Sequence, residues 1–246
     1  ESSVVIGEAT QITWEGALAT FTVINTNDSG AGSMRQAIID ANAAAGTDTI
    51  AFNIAGSGVQ TITLLATELP QLSGTVIIDG TTQPGYAGKP LIELNGNNVA
   101  ADGLTFNGDN SILRGLVVNR FTDDGIELNS DNNLIELSYI GTDASGTFDY
   151  GNGDQGIDVT NAINNIIRNN VIAGNANDGI ILDNGDGTTI QGNRIGVNLA
   201  GTPVGNGGGG ILMSNGASNN IIGGIGAGQA NIISGNSGDG VHVMNT

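Results

Sequence analysis

Short bursts of alternating apolar and polar residues run along the chain, and one burst occurs six times. It reads Asp102-Gly-Leu-Thr-Phe106, Asp124-Gly-Ile-Glu-Leu128, Gln155-Gly-Ile-Asp-Val159, Asp178-Gly-Ile-Ile-Leu182, Gly209-Gly-Ile-Leu-Met213 and Asp239-Gly-Val-His-Val243. The glycines at 103, 125, 156, 179, 210 and 240 are separated by 22, 31, 23, 31 and 30 residues. A period of two predicts a strand in which Ile126 and Leu128 share one face and Glu127 takes the other. A unit this short cannot close a core alone and must stack on its neighbours, which predicts a solenoid. Stacking puts Leu104, Ile126, Ile157, Ile180, Ile211 and Val241 in one inner column. Phe106, Leu128, Val159, Leu182, Met213 and Val243 form a second. Both columns are apolar at every level, and a slip of one residue would expose them all.

Each unit continues with Asn-x-Ile-x-x-Asn-x-Ile, intact as Asn165, Ile167, Asn170 and Ile172. Near copies are Asn133, Ile135, Ser138, Ile140 and Thr188, Ile190, Asn193, Ile195. A shortened copy is Asn231, Ile233, Asn236. Each rung therefore has three short strands and three turns, paired in parallel with the next rung about 4.8 Å away. The asparagines at the bends are expected to be structural, accommodating left-handed backbone and bonding along a ladder.

Longer rungs carry extra residues at one place. Ile140 to Gly153 aligns with Ile195 to Gly207, which predicts two neighbouring loops on one edge, two rungs apart. A third insertion, Gly223 to Ala230, interrupts a different turn.

The first third reads differently. Residues 1–30 suggest strands, notably Thr20 to Asn25, and one helix is predicted over Ser33 to Ala43. Ser33 and Gln36 have capping-box spacing, and Met34, Ala37, Ile38 and Ala41 form an apolar stripe. Such a helix would cover the open end of the first rung. Short strands resume at Thr49 to Phe52, Val59 to Leu64, Val76 to Asp79 and Leu91 to Leu94. The expected organisation is an N-terminal capping region over 1–48 and rungs over 49–246. The last burst begins just before Thr246, so the rungs are expected to continue in a longer array.

Gly32-Ser-Met-Arg-Gln-Ala-Ile38, followed by Asp40-Ala-Asn42, resembles the N-terminal cap of large secreted bacterial right-handed parallel β-helix proteins. Gly32 stands where their motif has Cys, and Gln36 where it has Glu. Asp79 to Gly85 and Ile140 to Thr147 also resemble recurring stretches of these proteins. The resemblance implies an all-β, right-handed single-stranded parallel β-helix with a capping helix, and an extracellular or cell-surface setting. It implies no activity.

Charge changes the picture of partners. Six Lys and Arg face 24 Asp and Glu, a formal net charge of -18, which argues against nucleic acid and anionic membranes. There is no Cys, which removes disulfides and thiol chemistry. No apolar run approaches the roughly 20 residues of a membrane span, so no membrane insertion is expected.

Other parallel β-helix proteins include pectate lyases and polygalacturonases, so an enzyme has to be weighed. Glu127 and Asp158 are outward neighbours, with Asp123 and Asp124 nearby, and could act as paired carboxylates or hold a hard cation such as calcium. Against catalysis, Lys89 is the only Lys and His242 the only His, and aromatics are sparse, with Trp14 the only Trp. Arg114, Arg168 and Arg194 fall on the second strand region without a convincing acid partner. Asp183 to Asp186 resembles a calcium turn, without the repeat that usually accompanies it. No residue is therefore assigned a catalytic, cofactor-binding or metal-binding role, and calcium is the one ion considered. The reading is a non-enzymatic extracellular scaffold, adhesin-like or filament-forming, whose partners are other copies, further rungs or carbohydrate. The alternatives are a polysaccharide-acting lyase or glycosidase and a calcium-stabilised carbohydrate-binding module.

Overall fold

The computed structural model describes residues 18–65, 67–98 and 101–244. Strands from successive turns of the chain assemble into three parallel sheets of six, eight and seven strands among these residues. The chain is a parallel β-helix. One complete rung runs from Ile126–Leu128 in the first sheet to Leu134–Glu136 in the second and Tyr139–Ile140 in the third. It then returns to the first sheet at Ile157–Thr160. Connections between parallel strands are right-handed as a rule, which sets the hand.

The register agrees with the sequence reading. Ile157 pairs with Ile126 on one side and Ile180 on the other, and Asp158 pairs with Glu127 and Ile181. Leu104, Ile126, Ile157, Ile180 and Ile211 are buried, as are Phe106, Leu128, Val159 and Leu182. At the last described level Val241 and Val243 are 43% and 61% exposed, because no further rung lies over them.

The helix spans Met34–Ala43 with Ser33 as its N-cap. Only half of the capping box forms. Ser33 Oγ accepts the Gln36 N–H at 3.2 Å, but the Gln36 amide turns away and donates to Asp40 at 2.8 Å. Met34 and Ile38 are fully buried in the same core as Val23 and Ile50, so the helix does cover the first rung. The predicted strands appear at Thr20–Val23, Asp48–Phe52, Gln60–Thr63, Val76–Asp79 and Ile92–Asn95. Strands expected before residue 18, and Trp14, lie outside the described residues.

Polar ladders occupy all three corners. At the first, Ser111 N–H donates to Asn133 Oδ1 and Asn133 N–H to Asn165 Oδ1, each at 2.8 Å. At the second, the chain of bonds runs Ser138 to Asn170 to Asn193 to Asn231 at 2.9–3.0 Å. At the third, it runs Phe121 to Asn152 to Asn175 to Asn206 to Asn236 at 3.1–3.3 Å. The two jobs expected of a single bend asparagine are divided between adjacent residues. Asn132, Asn164 and Asn169 take the left-handed backbone, with φ of 59°, 57° and 56°, while Asn133, Asn165 and Asn170 bond along the ladder. A side chain facing inward to meet the next rung leaves the tight bend to its exposed neighbour.

The loops after Ile140 and Ile195 meet across the intervening rung, where Leu199 N–H donates to Gly146 O at 3.3 Å. Ala144 and Leu199 from these loops pack on Val117, Tyr139 and Val171, outward residues of the third sheet. The third insertion separates Ile221–Ile222 from Ile232–Ile233.

Candidate functional site

The outward positions of the first sheet stack as Thr105, Glu127, Asp158, Ile181, Leu212 and His242. Alternation puts these side chains on the outer face because their neighbours fill the core. Beside them, the residues preceding the glycines form a further ladder. Asp102 Oδ1 accepts the Asp124 N–H at 3.2 Å, and Asp124 Oδ1 accepts the Gln155 N–H at 2.7 Å. Asp178 repeats the bond to Gly209.

The two rows bring acids together. Asp102 and Glu127 face each other across the levels. Carboxylate oxygens of Asp102, Asp123 and Asp124 all lie within 4.8 Å of one another. Glu127 and Asp158 are both half-buried, and Asp124 is only 7% exposed. Burial first, then the facing carboxyl of Glu127 and its charge, pushes Asp102 up to about 7. Burial and the charge of Asp158 push Asp124 up to about 8. Burial, with the charges of Glu127 and Asp183, pushes Asp158 up to about 6. Like charges in a partly dry site do not ionise together, so near neutral pH this face holds protons or a cation. Adjacent levels about 4.8 Å apart also place Glu127 and Asp158 in the range of a retaining carboxylate pair, about 5–5.5 Å.

Other residues have plainer roles. Asp183 and Asp186, in the calcium-like turn, accept bonds from Asn215 and Ser218 of the next rung. His242 is an exposed strand residue, 3.6 Å from Asp239. The arginines differ from the expectation. Arg114 pairs with Asp79 at 2.5 Å and Arg168 with Glu136 at 2.8 Å. Register places Asp79, Arg114, Glu136 and Arg168 at successive levels of the second sheet, alternating in sign. Spacing along the chain hid this column, because its members are 35, 22 and 32 residues apart. Arg194 lies in the third sheet rather than the second.

The third asparagine ladder was also missed, although a signal was present. Asn152, Asn175, Asn206 and Asn236 each stand four residues before the repeat glycine. Asp102, the third member of the acid cluster, carried no signal beyond its place in the repeat.

Neither family models nor curated proteins match the sequence. Among solved structures, the A-module of mannuronan C-5 epimerase AlgE6 from Azotobacter vinelandii is similar over 92% of this chain and 100% of that one. The TM-score is 0.30 and the identity 14%, a similarity too loose to carry any argument about chemistry.

Proposed function

We propose that the chain is a non-enzymatic extracellular β-helical scaffold, a stretch of a surface, adhesin-like or filament-forming protein. The continuity of the ladders carries this reading. Buried amides at three corners bond level to level, so the interior polar groups serve stacking. Such a body grows by adding levels, each resting only on its neighbours. The acidic surface keeps it solvated. The extracellular setting rests on the cap resemblance of Gly32 to Ile38. Incubation with acidic and neutral polysaccharides, read as new reducing ends and unsaturated products, tests it. The scaffold reading expects no turnover from the unmodified chain, Glu127→Gln or Asp158→Asn. Turnover abolished by either substitution would replace it with the polysaccharide-acting reading.

The oxygens of Asp102, Asp123 and Asp124 favour a second reading, a calcium-stabilised carbohydrate-binding module. Ligand oxygens sit about 2.3–2.6 Å from calcium, so oxygens on one ion lie within about 5 Å of each other. Calcium should raise the thermal midpoint and release protons near pH 7, since Asp102 and Asp124 must ionise to bind it. Asp123→Asn should abolish both effects. A midpoint and a proton balance indifferent to millimolar calcium would remove this reading.

A further inference from the structure

Four of the six cationic side chains are engaged. Arg35, Arg114 and Arg168 are ion-paired, and Arg120 stacks 3.7 Å over the Tyr150 ring. Among the described residues Arg194 makes no side-chain hydrogen bond or ion pair, in a chain of net charge -18 with acids in large excess. Its position is unusual too. The register of the third sheet runs Thr61, Glu93, Val117, Tyr139, Val171, Arg194 and Ile232, so the guanidinium follows three apolar levels and precedes a fourth. A concave site of about 170 Å³ opens beside it, walled by Leu137, Tyr139, Val171 and Leu199. Exposed Asn169 borders it, and its lining includes Gly88, which precedes Lys89, the other cation without a partner among the described residues. Leu199 arrives on the second insertion loop and is braced by the first, so both insertions help to build the wall.

We propose that this site binds a small organic carboxylate, one negative charge carried on a body about the size of a single ring. A guanidinium fork matches a carboxylate in two parallel bonds. Only one guanidinium lines the site, and the protein's own field repels anions, so a single charge is favoured over the double charge of phosphate. A cavity of about 150 Å³ holds a benzene ring, so a space of about 170 Å³ is enough for one ring. The apolar walls give that ring a surface to bury, which an inorganic anion cannot exploit.

Amide chemical shifts of the whole chain, titrated separately with cyclohexanecarboxylate, glucuronate and inorganic phosphate, test the proposal. Saturable shifts at Val171, Arg194 and Leu199 are expected with a carboxylate, and phosphate should not compete. Arg194→Gln should weaken binding at least tenfold, with the thermal midpoint unchanged because the strand pairs through its backbone. Leu199→Ala, which keeps the charge, should weaken it less. Tighter binding of glucuronate would assign the body to an acidic sugar, and tighter binding of cyclohexanecarboxylate to an apolar acid; both support the site. The proposal is overturned if neither carboxylate shifts these amides, if Arg194→Gln binds equally well, or if phosphate competes on equal terms.

Discussion

Thr188→Asn should stabilise the protein. At the first corner, each ladder side chain accepts the N–H of its counterpart one rung earlier. Asn133 does so for Ser111, Asn165 for Asn133 and Asn220 for Thr188, at 2.7–2.8 Å. Thr188 interrupts the series. Its backbone N–H donates correctly, but its Oγ1 is buried without a hydrogen-bond partner, and no bond joins it to Asn165. A buried hydroxyl left unpaired costs about 1–3 kcal/mol, and a completed bond contributes about 0.5–1.5 kcal/mol net. Asparagine would supply the missing acceptor, and its amide could donate to a backbone carbonyl as Asn220 does to Gly185 at 2.8 Å. A gain of about 1–2 kcal/mol should raise the thermal midpoint by about 2–8 °C in a chain of this length. Because repeat arrays can unfold in parts, hydrogen exchange at Asn165 is the sharper assay. Protection of that amide should rise about 5–30-fold, since 1.4 kcal/mol is a factor of ten. Asn165→Ala, which removes a working rung of the ladder, should move protection of the Asn133 amide the other way. Unchanged protection at Asn165 in a folded Thr188→Asn protein would refute the ladder as an energetic device.

The register predicts that Ile157→Asp, burying an unpaired charge, costs more than about 4 kcal/mol in denaturant unfolding, while Asp158→Ala is neutral or stabilising above pH 6; the reverse order would invert the faces. Gly125→Ala would put a Cβ 2.7 Å from Gly156 O, Asn152 Nδ2 and Ile140 Cγ2, so it should cost about 3 kcal/mol. Gly74→Ala, with open space around it, should be nearly silent in the same melt, and equal effects would count against close packing at the repeat glycine. Ile38→Asp should expose the first rung and promote aggregation, visible in light scattering across a concentration series; a stable monomer would deny the helix its capping role. Asp102, Asp124 and Asp158 hold protons up to about pH 7, 8 and 6, well above their ordinary 3.8. The folded state therefore binds more protons than the unfolded one, so this part of the stability is complete below about pH 4 and is lost as pH rises through 6–8. Midpoints measured from pH 4 to 9 should fall across that window in metal-free buffer, and a rise across it would contradict the cluster.

What the sequence disclosed followed from repetition. Inner positions repeat because each level rests on the next, so the columns through Ile126 and Leu128 could be read in register before any coordinates. The helix was legible for a similar reason, since Met34, Ala37, Ile38 and Ala41 mark one face. The alternating column Asp79, Arg114, Glu136 and Arg168 was not legible. Its order depends on how many residues each intervening turn consumes, and those turns differ in length. Nor could the sequence show that Asp102 and Glu127 face each other, because the two acids belong to different rows that only the pleat of the sheet brings together.

The division between inner and outer positions also indicates where specificity must lie. Stacking fixes the inside at nearly every level: apolar columns on the sheets and small polar residues, mostly asparagine, at the corners. Changing one member there disturbs two neighbours, so the interior has little freedom to acquire a ligand site. The outer positions carry no such obligation. Along the first sheet they pass from Thr105 through the acids Glu127 and Asp158 to Ile181 and Leu212, while register and core stay constant. Along the third sheet Arg194 interrupts valine, tyrosine and isoleucine without disturbing the strand that carries it. What distinguishes one level from the next is therefore held in outward side chains and in the insertion loops that fold over them. A ligand of this protein would be recognised there, at particular rungs, by groups that the stacking does not require.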